Sequence, residues 1–283
     1  MQLLATSRYQ LALIFCLALA TSGFCQDQQP KPLLPDTVKF MSGNLKLTGL
    51  LWKPPGKGPF PAVLYNHGSE AKPERFLNNP SRAFVDHGYA FFVPFRRGQG
   101  LSKGQGKYII DEADSASKVG GFTERFKLMS NRLETTQLQD QLAGLAFLKS
   151  QPGIDPKRIA VVGLSFGGIQ TMLAAAKAPD IKAALNFAGA AMMWDKDPKV
   201  GTWMKEIAKE AKVPVYFIQA ENDFSLKPSL ELSEAMKKAG KQYELKIYPP
   251  RGTTPMEGHT FIDDSNTWGP DVFPWLDALV KKK

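Results

Sequence analysis

Cysteine is almost missing from this 283-residue chain: the only two, Cys16 and Cys25, both precede residue 26. A chain cut after Cys25 keeps neither, which excludes a disulfide, a thiol nucleophile and a thiolate metal site. Histidine is nearly as scarce. His67, His87 and His259 are the only three, and His67 has no companion ligands at metal-binding spacing. No internal repeat, linker or low-complexity tract is present, and no apolar run of membrane-span length follows residue 25. Positive charge exceeds negative by nine, yet the basic residues form no aromatic-interleaved stripe, so nucleic-acid binding is not favoured and no nucleic-acid partner is expected. The excess exerts at most a weak pull on anionic substrates, and Lys281, Lys282 and Lys283 read as a solvated tail. What remains, 43% hydrophobic and 22% charged, suffices for one sizeable core.

Residues 1–25 read as a secretory signal peptide rather than as part of the fold. Arg8 is the only charge before Asp27, residues 11–20 are uninterruptedly apolar, and small residues follow at Thr21, Ser22 and Gly23. The apolar stretch is too short for a membrane span. Cleavage suits either Ala20 or Cys25. Lipidation at Cys25 is disfavoured by Phe24, which stands where a small residue belongs. The chain is therefore expected to be secreted or periplasmic, with no stable membrane insertion once the segment is removed. Residues 26–36 read as a leader and 37–283 as one domain.

Within that domain, strands are expected over 37–40 and 45–51, turned at Ser42-Gly43-Asn44, then over 62–65, 89–94, from 158, 183–188, 213–219 and 244–248. Helices are expected over 80–87 with Asn79 as cap, 131–150, 203–211 and 230–239, and from Pro274. The run to about Gly121 reads as a glycine-rich loop and a polar stretch. This alternation predicts an α/β fold, a mostly parallel sheet with helices on both faces and an antiparallel hairpin at one edge. Insertions are short, so a large cap domain is not expected. Residues 102–130 are the candidate for partial cover.

The chain turns on Gly163-Leu164-Ser165-Phe166-Gly167. The apolar run 159–162 before it reads as a buried strand, and Ile169, Met172 and Leu173 after it read as one face of a helix. Gly-x-Ser-x-Gly between strand and helix is the nucleophile-elbow pattern, a sharp turn that holds its serine in a strained conformation. A serine hydroxyl needs an adjacent base. His259 lies beyond the last strand, where a base is expected, whereas His87 reads as a helix-end residue. Asp223 follows the strand at 213–219 and is chosen as the orienting acid over Glu221, which lies nearer the strand end. The order Ser165, Asp223, His259 is that of the α/β-hydrolases. Two backbone N–H groups must stabilise an oxyanion. One is assigned to Phe166 and the other to Ser69 in His67-Gly68-Ser69-Glu70, with Glu70 as rival. His67 is then a structural anchor for that loop.

Asn66-His67-Gly68-Ser69, Arg97-Gly98-Gln99-Gly100-Leu101-Ser102, Ile154-Asp155-Pro156-Lys157-Arg158-Ile159, the elbow through Gly168, Glu221-Asn222-Asp223 and Gly258-His259-Thr260-Phe261 span about residues 60–262. Together they resemble the dienelactone hydrolase group and the catalytic domain of prolyl oligopeptidases, within the α/β-hydrolase superfamily. The resemblance implies an eight-stranded sheet and a Ser165–Asp223–His259 triad. Two departures stand out. Dienelactone hydrolases use a cysteine where this chain has Ser165, and prolyl oligopeptidases carry a propeller for which there is no room before residue 37.

The expected activity is that of a carboxylic-ester hydrolase acting on a small-molecule ester through an acyl-enzyme, with no cofactor and no metal. A small-peptide serine peptidase and a non-catalytic binding protein on the same scaffold are the alternatives. Met192, Met193 and Trp194 are read as pocket lining or ordinary packing.

Overall fold

The apolar runs of the sequence become the centre of an eight-stranded sheet in the computed structural model, which describes residues 33–178 and 180–282. The signal segment expected over 1–25, with both cysteines, lies outside the described residues. The strands are β1 (Asp36–Ser42), β2 (Leu45–Trp52), β3 (Phe60–Asn66), β4 (Ala90–Pro94), β5 (Ile154–Leu164), β6 (Ala184–Phe187), β7 (Val215–Ala220) and β8 (Tyr243–Tyr248). Their order is β1-β2-β4-β3-β5-β6-β7-β8. The β1–β2 and β2–β4 pairs are antiparallel, and every pair from β4 to β8 is parallel.

Both faces of the sheet are covered, so the central strands are apolar at nearly every position. Successive side chains alternate between two cores. Ala62, Leu64, Ile159 and Val161 face one, while Val63, Tyr65, Ala160 and Val162 face the other. The first core is roofed by α2 (Ile109–Arg132), α3 (Leu138–Lys149), α4 (Phe166–Lys177), α5 (Pro198–Lys209) and α6 (Lys227–Lys238). The second is roofed by α1 (Asn78–Asp86) and α8 (Ser265–Val280). A one-turn helix, α7 (Pro255–His259), precedes α8. Among the described residues no large cap domain sits over the sheet.

Several boundaries differ from the sequence reading, each for a packing reason. The polar stretch before Gly121 is helical. It forms the first arm of α2, which buries only Ile109 and Ala113 and therefore shows little periodicity. The helix breaks at Gly120 and Gly121, where Gly121 has φ 63°. The helix expected over 131–150 is the end of α2, a π-turn over Leu133–Gln137, and α3. That turn brings Leu133 and Leu138, five residues apart, onto the same buried side. Helix α8 starts nine residues before Pro274 and holds Pro270 and Pro274 inside it. Burial of Trp268, Val272, Leu276 and Val280 offsets the backbone hydrogen bonds that the prolines remove. Helix α1 begins at Asn78 with no side-chain cap, so Asn79 does not cap it. Helices α5 and α6 start earlier than expected, α5 on the Asp197 carboxylate, which accepts from Lys199 N at 2.8 Å.

Every loop that the chemistry concerns leaves the carboxyl end of a parallel strand: after β3, β4, β5, β7 and β8. The loop after β4 is tied down by Asp140 of α3, whose side chain is 1% exposed. Its carboxylate accepts from Arg97 N (2.9 Å), Arg97 Nε (2.8 Å), Arg97 Nη2 (2.6 Å) and Ser42 Oγ (2.6 Å). Arg97→Met leaves that carboxylate buried without its cation. It is expected to lower unfolding free energy by about 3 kcal/mol in urea titrations; an unchanged midpoint would show that the pair contributes nothing net.

Candidate active site

The elbow forms because two glycines let three backbone segments touch. Ser165, between β5 and α4, has φ 57° and ψ −117°, a conformation that costs a non-glycine residue about 1–3 kcal/mol. A Cβ at Gly163 would lie 2.2 Å from Gly167 O, and one at Gly167 would lie 1.8 Å from Asn66 O. The carbonyl end of β3 is thereby pressed against the first turn of α4. The turn is closed by Ser165 N donating to Phe187 O (2.9 Å) and by Gly168 N donating to Ser165 O (2.9 Å).

The three side chains singled out in the sequence meet here. Ser165 Oγ and His259 Nε2 are 2.8 Å apart, and His259 Nδ1 and Asp223 Oδ1 are 2.8 Å apart. The His259 side chain is 5% exposed and that of Asp223 is fully buried. Asp223 is satisfied elsewhere by Phe224 N (2.6 Å) and by Gln219 Nε2 (2.6 Å), and Gln219 Oε1 accepts from Ser229 Oγ (2.7 Å). With Asp223 ionised, the Nδ1–H tautomer of His259 is the one that can donate to it. Nε2 then presents its lone pair to the serine hydroxyl. Glu221, the rival acid, is exposed.

His259 lies beyond the last strand, as expected, and is the last residue of α7. That turn carries a capping box, in which Glu257 N donates to Thr254 Oγ1 (3.3 Å) and Thr254 N donates to Glu257 Oε2 (2.9 Å). It is bolted to the loop of Asp223 by Asn222, whose amide donates to Arg251 O (2.9 Å) and Thr254 O (2.9 Å) and accepts from Arg251 N (2.9 Å). Gln219, Asn222 and Arg251 escaped the sequence reading. Polar residues in loops are common, and only contacts across about 30 residues single out Asn222 and Arg251, while Gln219 is a buried polar residue of β7 marked by its bonds to Asp223 and Ser229.

Two clefts open on Ser165. One, of about 360 Å³, is walled by Ile110, Phe122, Met129, Phe166, Ile169 and Met193, with Ser69 at its edge. The other, of about 450 Å³, is lined by Phe76, Leu77, Met256, His259 and Ile262 and by the carboxylate residues Glu70 and Asp263. Ser69 lines both clefts, Phe166 only the first and Glu70 only the second. Met192, half exposed, lines both; Met193 lines the first; Trp194 is packed in the core. A larger hollow of about 930 Å³ beside Tyr108 contains none of Ser165, Asp223 or His259.

His67 anchors its loop, as expected. It is fully buried, and burial, reinforced by the Arg96 guanidinium, holds its pKa well below 6.5. The neutral ring takes a hydrogen bond on Nδ1 from Arg96 Nη2 (2.8 Å). His87 is remote, at the end of α1, stacked on Phe273 and 3.2 Å from Asp277. The buried His67 makes stability pH-dependent. Below about pH 6.5 the unfolded chain takes up a proton that the folded chain refuses, so stability falls with pH by up to ~1.4 kcal/mol per unit. Asp263, whose pKa burial raises, acts in the opposite sense, from its unfolded value upward. The thermal midpoint is expected to drop between about pH 7 and pH 5.5, with the slope flattened in His67→Gln; equal slopes would assign the effect elsewhere.

Comparison with known proteins agrees with this architecture. Residues 47–272 match the Dienelactone hydrolase family. Protein usf of Aquifex pyrophilus is 26% identical over 230 residues, covering 80% of this chain and 87% of that protein. Among solved structures, acylaminoacyl peptidase of Pyrococcus horikoshii superposes with TM-score 0.63 at 21% identity. That match covers 89% of this chain and 43% of the peptidase, so the chain spans less than half of its length. The Pyrococcus furiosus esterase PF2001 superposes with TM-score 0.62 at 17% identity, covering 90% of this chain and 95% of the esterase. With a family match that runs from β2 into α8, the chain belongs to the dienelactone hydrolase family.

Proposed function

We propose that this member of a hydrolase family is an extracytoplasmic serine hydrolase of carboxylic esters, working through Ser165, His259 and Asp223. The observation that carries the reading is the unbroken hydrogen-bond line from Asp223 through His259 to a serine in strained backbone. Export rests on the apolar stretch at 11–20 and the small residues after it.

Ser165 Oγ attacks the ester carbonyl as His259 Nε2 removes its proton, and Asp223 stabilises the imidazolium. The N–H groups of Ser69 and Phe166 receive the oxyanion; Phe166 is the first residue of α4, where N–H groups have no intrahelical partner. His259 must then hand its proton to the leaving oxygen. It lines the second cleft and is absent from the first. The leaving alcohol therefore belongs over Met256 and Ile262, and the acyl group between Phe166, Ile169 and the arms of α2. A water activated by His259 releases the acid.

The peptidase reading draws on the likeness to acylaminoacyl peptidase, and peptide substrates test it directly. Purified protein is expected to hydrolyse nitrophenyl esters faster than dipeptide nitroanilides. A fluorophosphonate is expected to label Ser165, and Ser165→Ala to lose both turnover and label. Asp223→Asn, which imposes the wrong tautomer on His259, is expected to lower kcat by about 10⁴-fold. A folded protein that resists the fluorophosphonate would instead support the non-catalytic binding reading.

A further inference from the structure

Arg96, directly after Phe95 at the exit of β4, is 3% exposed, and no carboxylate lies within ion-pair distance of it among the described residues. An unpaired buried cation is expensive, so its surroundings must compensate it. They do so with neutral acceptors. Nε donates to Gln99 Oε1 (3.1 Å), Nη1 to His67 O (2.8 Å) and Gln170 Oε1 (2.7 Å), and Nη2 to Gly68 O and to His67 Nδ1 (2.8 Å). The guanidinium carbon lies 5.0 Å from the centre of the Phe166 ring. Burial lowers the Arg96 pKa to about 10, against the pull of Glu70 and Asp140, so the group stays charged at neutral pH. Gln170 is held for its oxygen alone: its Nε2 is buried with no protein partner among the described residues.

These contacts have a directional consequence. Across a planar trans peptide, C=O and N–H point in opposite directions. The Gly68–Ser69 bond is not among the cis peptides. Fixing Gly68 O on Arg96 therefore turns Ser69 N–H away from Arg96. Ser69 lines the cleft that holds Ser165 and Phe166. The same guanidinium grips α4 through Gln170 and the face of Phe166, the residue that carries the second donor.

We propose that Arg96 is the positioning residue of the oxyanion hole, setting Ser69 N–H relative to Phe166 N–H by holding the Gly68 carbonyl and α4 on one rigid fork. This rests on the serine-hydrolase reading above. The planar guanidinium suits the task because its donors are fixed in one plane, whereas an ammonium offers three donors on a flexible stem. The role is to act on the transition state, since a misdirected donor weakens binding of the oxyanion and leaves the ground-state ester little changed.

The test compares wild type, Arg96→Met and Arg96→Lys on one nitrophenyl ester. It also measures their affinity for a boronic acid, whose tetrahedral adduct on Ser165 places an oxygen in the oxyanion hole. Arg96→Met is expected to lower kcat ~100-fold with KM little changed, and boronate affinity to fall in parallel. Arg96→Lys, which keeps the charge and loses the fork, is expected to recover only part of kcat. A cooperative melt establishes that each variant is folded; if Arg96→Met does not fold, Arg96→Lys decides. A folded variant with wild-type kcat and boronate affinity, or a loss confined to KM, overturns the assignment. A wild type that turns over no ester overturns the hydrolase reading, and this one with it.

Discussion

Backbone touches backbone where β3 ends and α4 begins, and the rest of the site depends on that contact. No side chain, not even a methyl group, fits between Gly167 and the Asn66 carbonyl. The same closeness recurs between Gly163 and Gly167 across the elbow. Ser165 adopts positive φ there because the segments around it leave it no other path. The contact also brings the loop after β3, with Ser69, beside the first turn of α4, with Phe166. The proposed nucleophile and the proposed oxyanion donors are thus set by one junction rather than by separate loops.

The site is held from behind by polar groups that are costly to bury. Arg96 collects the carbonyls of the β3 loop, Asp140 clamps Arg97 next to it, and Asn222 ties the loop after β7 to the turn that ends in His259. Each satisfies backbone groups that would otherwise be orphaned away from water. Such networks stay rigid because loosening one member leaves several groups unpaired at low dielectric. The walls of the clefts are different. Met192, Met256, Phe76 and Phe224 are large apolar side chains left half exposed around the mouth, where substrate rather than core can cover them.

The sheet was largely legible because its strands are buried on both faces and read as apolar runs bounded by turn residues. The covering helices were less so. The first arm of α2 buries two residues, so its pattern resembles a polar loop. The π-turn at Leu133–Gln137 shifts the apolar register, which makes three pieces read as one helix. The prolines in α8 argue locally for a later start, and packing against the sheet overrides them.

By itself the sequence determined the elbow, the chain order of serine, aspartate and histidine, and the side of the sheet on which they emerge. Local sterics and strand order carry that information: a glycine-flanked serine between a strand and a helix has few conformations, and parallel strands deliver their loops to one edge. Only the tertiary structure decided that Asn222 ties the loop of Asp223 to the turn of His259, that Arg96 grips the loop of Ser69, and that two clefts meet at Ser165. Those relations join residues dozens of positions apart through hydrogen bonds and packing. Their geometry exists only after the two cores have set the distances between loops.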